Sequence, residues 1–536
     1  MQGFLSLYSW RYPARLVRLW RRHDNIWTYF KTYWRTTDFS SFDDDVPLTG
    51  RARLVAIALY AGMAAQVLGG LALIIAGSVG EMTGGWQFGL AAVLSYPIVW
   101  AHMLLLFVVV WWVAHPKALG RAVVCRLLES QVRRLRKRHS FSVVAVAGSV
   151  GKTSTKIAIA RVLQASRRVL WQEGNYNDRA TVPLIFFDRV QPGLMNIPAW
   201  IKILLQNERT IRRPYPYQAV VIELGTDGPG QIVQFAYTKP DIVVVTAVTP
   251  EHMEYFGTLA AVAREELSAL NFARQALVNI DDTPAEYLAD RNYLSYGLDK
   301  GAMYHAAGRT SKGLQGQQVH FQLGKHDAFE VTVPLLGDHG AKVAIAAAAA
   351  AHMLGLPADD IKRGVTEVSA FAGRMQVLHG IKDSTIIDDT YNSSPVAAKA
   401  ALDVLQSGEA PQRIAILGSM NELGAYSPEA HREVGEHCDP TKLDWVITIG
   451  RDAKEFLAPI AKERGCNVKA FLDPYKAGRF AQKELKEGAV ILAKGSQNRV
   501  FAEEALKVLL ANAQDKDRLV RQSAYWMAIK RRQFKP

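Results

Sequence analysis

Two long runs without a charged residue dominate the first part of the chain. Leu54–Ala76 is 23 residues long and Phe88–Ala114 is 27. A bilayer core about 30 Å thick needs about 20 helical residues, so either run is long enough to span it. More than 50 residues precede the first run, which argues against a secretory signal. Upstream, Leu16, Leu19, Trp20, His23, Ile26, Trp27, Phe30 and Trp34 recur at helical spacing, with Arg15, Arg18, Arg21, Arg22 and Lys31 between them. That pattern predicts an amphipathic helix, lying in a membrane interface or binding a partner. Past about Ser140 the pattern changes. Short Val- and Ile-rich runs at Ser142–Ala147, Asp241–Thr246, Ile414–Leu417, Trp445–Ile449 and Ala489–Ala493 alternate with helical stretches or glycine turns. Such alternation predicts α/β domains with buried strands and, at the C-terminal end, a Rossmann-like sheet.

Charge sharpens the membrane expectation. The net charge of the 536 residues is +14. Residues 1–53 hold nine Lys/Arg against five Asp/Glu, and residues 115–140 hold eight against one. These flanks therefore carry +11 of the total. Cations that flank apolar spans point to an anionic membrane surface rather than to nucleic acid. The loop Gly77–Gln87 has one acid, Glu81, and no Lys or Arg. The bias of cations towards the cytoplasm predicts a plasma-membrane hairpin with both flanks, both termini and the later domains cytoplasmic. Pro97 and His102 fall inside the second span; a kink is expected at the first, and packing or function at the second. Cys125, Cys438 and Cys466 are scattered, so neither a zinc ribbon nor a disulfide framework is expected.

The sharpest chemical signal follows the first Val-rich run. Gly148-Ser149-Val150-Gly151-Lys152-Thr153-Ser154 joins a predicted strand to a predicted helix. Strand, glycine turn and helix place backbone N–H groups around a phosphate. Lys152 is expected on the β/γ-phosphates of ATP, and the Thr153 hydroxyl on Mg²⁺. The spacing departs from the commonest phosphate loop, because Val146 stands where a first glycine would be.

This shorter loop resembles that of the Mur ligase family, and the resemblance continues to about residue 510. Glu173-Gly-Asn175-Tyr-Asn177 resembles the segment that meets the acyl substrate. Val221-Ile-Glu223-Leu-Gly225 and Thr249-Pro-Glu-His252 resemble segments whose Glu and His hold a second metal. Read alone, Glu223 is an ordinary strand-end carboxylate and His252 a helix-cap residue. The family carries a carbamylated Lys on the next helix. Here Val262-Ala-Arg264-Glu265-Glu266-Leu267 has none, and Glu266, or its neighbour Glu265, is expected to supply the carboxylate directly. Gly193–Pro216 reads as an insertion relative to the family. It holds Ile197, Trp200, Ile201, Ile203 and Leu204, followed by Arg209, Arg212 and Arg213, and fits either a membrane-facing helix or one packed on the core.

Further on, Leu335–Gly340 and an Ala-rich helix mark the domain junction. Val343 stands where the family has an adenine-reading Asn. Phe371-Ala-Gly-Arg374-Met resembles the segment whose Arg meets nucleotide phosphates. Asp388-Asp389-Thr-Tyr391-Asn392-Ser-Ser394-Pro resembles a nucleotide- and substrate-proximal loop, with Ser394 in place of a second Asn. Gly418–Gly424 and Ala493-Lys494-Gly-Ser496 resemble two further family segments, and Lys494 and Ser496 are expected near the incoming amine.

The expected organisation is a basic segment (1–53), a transmembrane hairpin (54–114), a basic linker (115–140), a central ATP-binding domain (141–334), a C-terminal domain (335–512) and a basic tail (513–536). The hairpin occupies the place of the family's nucleotide-sugar-binding domain. The resemblance implies an ATP- and Mg²⁺-dependent ligase of peptidoglycan biosynthesis. It would activate a UDP- or lipid-linked muramyl-peptide carboxylate as an acyl phosphate and join it to an amino acid or dipeptide. By motif, the nearest member is the one that adds D-alanyl-D-alanine. Other family amide ligations, such as folate glutamylation, are alternatives, as is a membrane scaffold with a degenerate nucleotide site. The missing four-cysteine ribbon speaks against the amidating branch.

Overall fold

The structure, a computed structural model, describes residues 6–22, 32–36, 50–79, 85–114, 116–174, 176–193 and 196–534. The chain forms two units, Met1–Val123 and Val124–Pro536.

In the first unit the two apolar runs are helices, Gly50–Ser78 and Gly85–Ala114. Ala52–Ser78 and Gly85–Leu104 are long and apolar enough to cross a membrane, and only 17% and 22% of their most apolar windows are buried. A core helix of a soluble domain would bury most of that surface. A polar clasp joins the pair. The Trp100 indole N–H donates to the Gln66 side chain at 2.7 Å, and the Gln66 amide donates to the Ala92 carbonyl at 2.9 Å. His102 is engaged locally, with Nδ1 2.8 Å from the Ile98 carbonyl. The helix Tyr12–Arg22 differs from the sequence expectation. Its apolar face, Tyr12, Leu16 and Leu19, is buried in one cluster with Ala56, Leu59, Met63, Ala101 and Leu104 of the hairpin. The face that reads as lipid-facing is thus taken up by protein. His23, Ile26, Trp27, Phe30 and Lys31 of the same pattern lie outside the described residues.

The stretch 115–140 is not a linker. Pro116–Arg138 is one helix. Leu128, Val132 and Leu135, spaced three or four residues apart, bury one face of it, and Val132 and Leu135 join the central domain's core. Their helical period is masked in the sequence by the density of arginines on the other face.

The central domain is built on nine strands: β1 Ser142–Ala147, β2 Val169–Leu170, β3 Ala219–Glu223, β4 Ile242–Val245, β5 Gln275–Asn279, β6 Leu294–Gly297, β7 Tyr304–Ser311, β8 Gln317–Leu323 and β9 Asp327–Val333. Their order is β2-β3-β1-β4-β5-β6-β7-β8-β9. The strands pair in parallel as far as β7, and β7–β9 form an antiparallel meander. The Ala-rich helix Gly337–Met353 is buried almost throughout from Gly340 to Ala351, in one core with the helix Lys152–Gln164. Alanine suits this position because it lets backbones approach while keeping full helix propensity.

The C-terminal domain has six strands: β10 Gln376–His379, β11 Thr385–Asp389, β12 Arg413–Gly418, β13 Trp445–Ile449, β14 Val468–Phe471 and β15 Val490–Lys494. The order is β10-β11-β15-β12-β13-β14, parallel except for β10. The tail is folded too, ending in the helix Ala524–Gln533.

The insertion forms the helix Ile197–Arg212. Trp200, Ile203, Asn207 and Ile211 are its buried face. The Gln131 amide donates to the Leu204 carbonyl at 2.8 Å, and Asn207 donates to the Gln131 side chain at 2.9 Å. These bonds tie the insertion to the helix Pro116–Arg138.

Candidate active site

The site gathers where β1 meets β3 on one side and β4 on the other. At such a reversal of strand order, the loops leaving the strand ends diverge and open a crevice. Register fixes the geometry: Val146 pairs with Glu223 and Ala147 with Val245. The phosphate loop therefore leaves β1 level with the last residue of β3. Gly148 and Gly151 have φ of 120° and 87°, a region open to glycine with little steric cost. A Cβ on Gly148 would also collide with Thr246 Oγ1.

Charge is concentrated around this loop. Lys152 folds back over it, donating to the Gly148 carbonyl and, at 3.2 Å, to the Ser149 carbonyl. Its ammonium lies 3.3 Å from Glu251 and 4.0 Å from Glu266. Burial alone would lower the Lys152 pKa, but Glu251, Glu266 and Glu223 together hold it above the usual value. Thr153 Oγ1 donates to Glu223 at 3.0 Å, and Lys156, fully buried, lies 3.2 Å from the same carboxylate. Burial would raise the Glu223 pKa, yet Lys156, Lys152 and the Thr153 hydrogen bond outweigh it and hold the group ionised. The Asn177 amide donates to the other Glu223 oxygen at 3.2 Å. Asn175 lies outside the described residues. Ser149 is buried, its hydroxyl accepting the Thr249 N–H at 3.1 Å, while Ser154 faces a cleft shared with the C-terminal domain.

The structure separates the two neighbouring glutamates. Glu266 accepts the Gly148 N–H at 2.7 Å and is buried. Desolvation is the dominant influence on it and pushes its pKa up to about 7, against the opposing charge of Lys152. Glu265 points elsewhere. It accepts the N–H groups of Gly230, Gln231 and Ile232 at 2.6, 2.7 and 2.6 Å, capping the turn Ile232–Thr238. The phosphate loop thus meets Glu266, and Glu265 is a loop anchor.

His252, expected with Glu223 at a metal, is surrounded by three other carboxylates. Its ring lies 3.2 Å from Glu422, 3.7 Å from Glu251 and 3.8 Å from Asp227, and Glu223 is not among these partners. Burial would lower its pKa, but the Glu422 hydrogen bond and the Glu251 charge raise it. In this geometry His252 instead bridges the central and C-terminal domains. Among the described residues no three His, Cys, Asp or Glu side chains gather as a metal site.

On the far wall of the cleft, Arg374, Asp389 and Lys494 face Val150 and Ser154. Lys494 donates to Asp389 at 2.6 Å and to the Asn392 carbonyl at 3.1 Å. Arg374 stacks 4.2 Å above the Tyr391 ring, and its buried Nε has no hydrogen-bond partner. Asp388, expected beside the nucleotide, is fully buried and turned away. Adjacent residues of β11 face opposite sides of the sheet, and one Asp388 oxygen accepts both the Thr390 hydroxyl and N–H. Burial lifts its pKa to about 6. Ser496 is also buried. It accepts the Asn421 N–H at 2.9 Å and so fastens one loop to another.

Sequence reasoning passed over Glu251, Lys156, Glu422 and His339. All four carried a usable signal, because each lies within or close to a recognised segment: Lys156 after the phosphate loop, Glu251 beside His252, His339 in Leu335–Gly340 and Glu422 in Gly418–Gly424. His339 lies 3.1 Å from where a Gly151 Cβ would be, and burial lowers its pKa.

A parallel sheet with a glycine turn over buried Lys and Glu, joined to a second Rossmann-like sheet across a cleft, defines a two-domain phosphate-loop nucleotide enzyme. The family model of the Mur ligase middle domain matches residues 146–351, and that of the Mur ligase glutamate ligase domain matches residues 373–497. A UDP-N-acetylmuramoyl-tripeptide–D-alanyl-D-alanine ligase of Synechocystis sp. is 30% identical over 369 residues, covering 68% of this chain and 73% of its own. The Haemophilus influenzae protein of the same name is 27% identical over 380 residues, covering 68% and 76%. Among solved structures, MurF from Acinetobacter baumannii superposes with a TM-score of 0.60 at 23% identity, covering 74% of this chain and 81% of that one. MurF from Thermotoga maritima in complex with ADP superposes at 0.58 and 22%, covering 73% and 84%. The chain belongs to the Mur ligase family and is an ATP-dependent ligase that forms carbon–nitrogen bonds.

Proposed function

We propose that this ligase adds an amino acid, or the dipeptide D-alanyl-D-alanine, to a muramyl-peptide precursor of the cell wall. The observation that carries the reading is the set Lys152, Thr153, Glu223 and Glu266 gathered at the ends of β1 and β3. The D-alanyl-D-alanine ligases at 27–30% identity supply the substrate class.

In the reaction, a carboxylate oxygen of the acyl substrate attacks the γ-phosphorus of ATP. The bond to ADP breaks and an acyl phosphate forms. The amine then attacks the acyl carbon, the amide bond forms, a proton is lost and phosphate leaves. No side chain serves as nucleophile, so the protein's work is positioning and charge stabilisation. Lys152 holds the β/γ-phosphates, and Arg374 reaches them from the opposite wall. Thr153 and Glu223 are two hard oxygen donors 3.0 Å apart, a set that fits Mg²⁺. Such an ion would neutralise charge on the transferred phosphoryl group. Glu266 supplies a genetically encoded carboxylate where the family uses a carbamylated Lys. Asn177 serves the acyl side, and Lys494, Tyr391 and Asn392 the amine side.

The two weakly buried apolar helices and their basic flanks support anchoring in the plasma membrane, with the catalytic domains cytoplasmic. The test measures phosphate release by detergent-solubilised full-length protein with muramyl peptide and one radiolabelled amine at a time. Release and label transfer with D-alanyl-D-alanine are expected. No transfer with any amine would sink the reading.

A further inference from the structure

The inserted helix Ile197–Arg212 has two apolar faces, and only one is used. Trp200, Ile203 and Ile211 are buried against the protein. Ile197, Ile201 and Leu205, one helical turn apart, are 62%, 53% and 59% exposed. Large aliphatic groups in a row, each mostly exposed, cost free energy in water unless something covers them. Their surroundings are cationic. Lys202, Arg209, Arg212 and Arg213 are exposed around the stripe. The helix's one acid, Glu208, is already held by Arg134 and by the Gln131 amide at 2.9 Å. Among the described residues, none of the four cations lies within ion-pair distance of an acid, and only Arg212 acts on one, Glu208, through its charge.

We propose that this stripe, with its rim of Lys202, Arg209, Arg212 and Arg213, docks in the headgroup layer of an anionic lipid surface. Apolar residues on one side and exposed cations beside them are what an interfacial helix needs. A protein partner would require acidic groups to answer four cations; an anionic bilayer presents negative charge to all of them at once. The chain also delivers this helix near lipid. It is bonded to Gln131 and Arg134, and Leu128 of the same helix follows the end of the second apolar helix, Ala114, by only 14 residues. The proposal rests on the reading of the hairpin as a membrane anchor. Docking would hold the catalytic domains in a fixed orientation to the bilayer.

The test uses the full chain in liposomes, with a nitroxide on one introduced cysteine at a time. The three native cysteines are buried, so label goes to the new site. Ile201→Cys reports the stripe, Leu71→Cys the hairpin, and Leu472→Cys, on an exposed loop of the C-terminal domain, the solvent. In liposomes with anionic lipid, the label at 201 is expected to be open to oxygen and shielded from a water-soluble nickel chelate, as at 71 and unlike 472. Each of Lys202→Glu and Arg209→Glu is expected to lower the docked-to-undocked ratio read by the label at 201 by at least about fivefold, from roughly 1 kcal/mol per cation at an anionic surface. If 201 behaves like 472 while 71 reports lipid, docking is overturned and the anchor stands. If both 71 and 201 report water, anchor and docking fall together. If 201 is shielded from both reagents, a protein covers the stripe and the lipid assignment is wrong.

Discussion

Glu266 accepts the backbone N–H of Gly148 at 2.7 Å, so a carboxylate from the helix Leu259–Glu266 closes on the first glycine of the phosphate loop. Glu265 is bound to three N–H groups of another loop. The two substitutions should therefore fail differently. Glu266→Gln keeps the shape and removes the charge. A loss of about 10²–10³ in kcat is expected, the scale of removing one preorganised charge-stabilising contact, with a melting temperature near neutral pH that is unchanged or higher, because the buried charge is gone. Glu265→Gln should lower the melting temperature first. In Glu266→Lys, activity restored only by added bicarbonate would show that a carbamate can take the carboxylate's place. Full activity in Glu266→Gln would remove Glu266 from the machinery.

The same burial predicts a pH signature. The Glu266 pKa is raised to about 7 from an ordinary 4.5. A raised carboxyl pKa means the fold favours the protonated form. Stability is highest below about 4.5 and falls as pH rises, until the group is ionised above about 7. The whole span is worth at most about 3 kcal/mol. Function runs the other way if the anion is the working form: kcat/KM for ATP should rise with pH through about 7. Glu266→Gln should flatten both profiles. An unchanged activity profile in that variant would assign the titration to another group.

The legible parts of the site were those that chemistry forces into short spacing. Gly148, Gly151, Lys152 and Thr153 could be read because a phosphate loop needs them adjacent. The position of Glu266 followed from the family register. What could not be read was side-chain direction. Asp388 and Asp389 look alike in sequence, but strand alternation sends only the second into the cleft. His252 sits beside Glu422, 170 residues away along the chain, and nothing local announces that contact. The helix Pro116–Arg138 was hidden because eight cations mask its apolar period, although Leu128, Val132 and Leu135 stand at the right intervals.

The tail, without an evident role in sequence, is a buried ionic latch. Lys530 is fully buried, 2.8 Å from Glu503 and 2.6 Å from Glu504. Arg521 lies 2.6 Å from Glu503 and donates to the Thr390 and Tyr391 carbonyls at 2.5 and 2.9 Å. Lys530→Met leaves two buried carboxylates short of a cation. Breaking such a pair costs about 3–5 kcal/mol, so a clear drop in denaturation midpoint is expected. Arg521→Lys keeps the charge and loses the fork to the two carbonyls. It should loosen the loop carrying Tyr391 and Asn392 and raise KM more than it lowers stability. Hydrogen exchange at residues 390–392 checks this, and unchanged protection would refute the latch.

A bilayer anchor would bear on where the acyl substrate resides. Both family matches begin at or after residue 146, and apolar helices and a helix packed on the ATPase core precede them. An enzyme held at a bilayer gains effective concentration only for a substrate confined to the same plane. A lipid-linked muramyl peptide would share that plane, and a soluble UDP-linked precursor would not. Cutting the chain near Arg138 would strip Leu128, Val132 and Leu135 from their buried positions and confuse the result with unfolding. The chain from Val124 keeps them and coincides with the second compact unit. In liposomes, full-length protein is expected to use the lipid-linked form at substrate densities where the Val124 truncation is nearly inactive. In detergent, where the shared plane is lost, the two should converge. If both proteins use the UDP-linked precursor equally and neither uses the lipid-linked form, the membrane does not select the substrate.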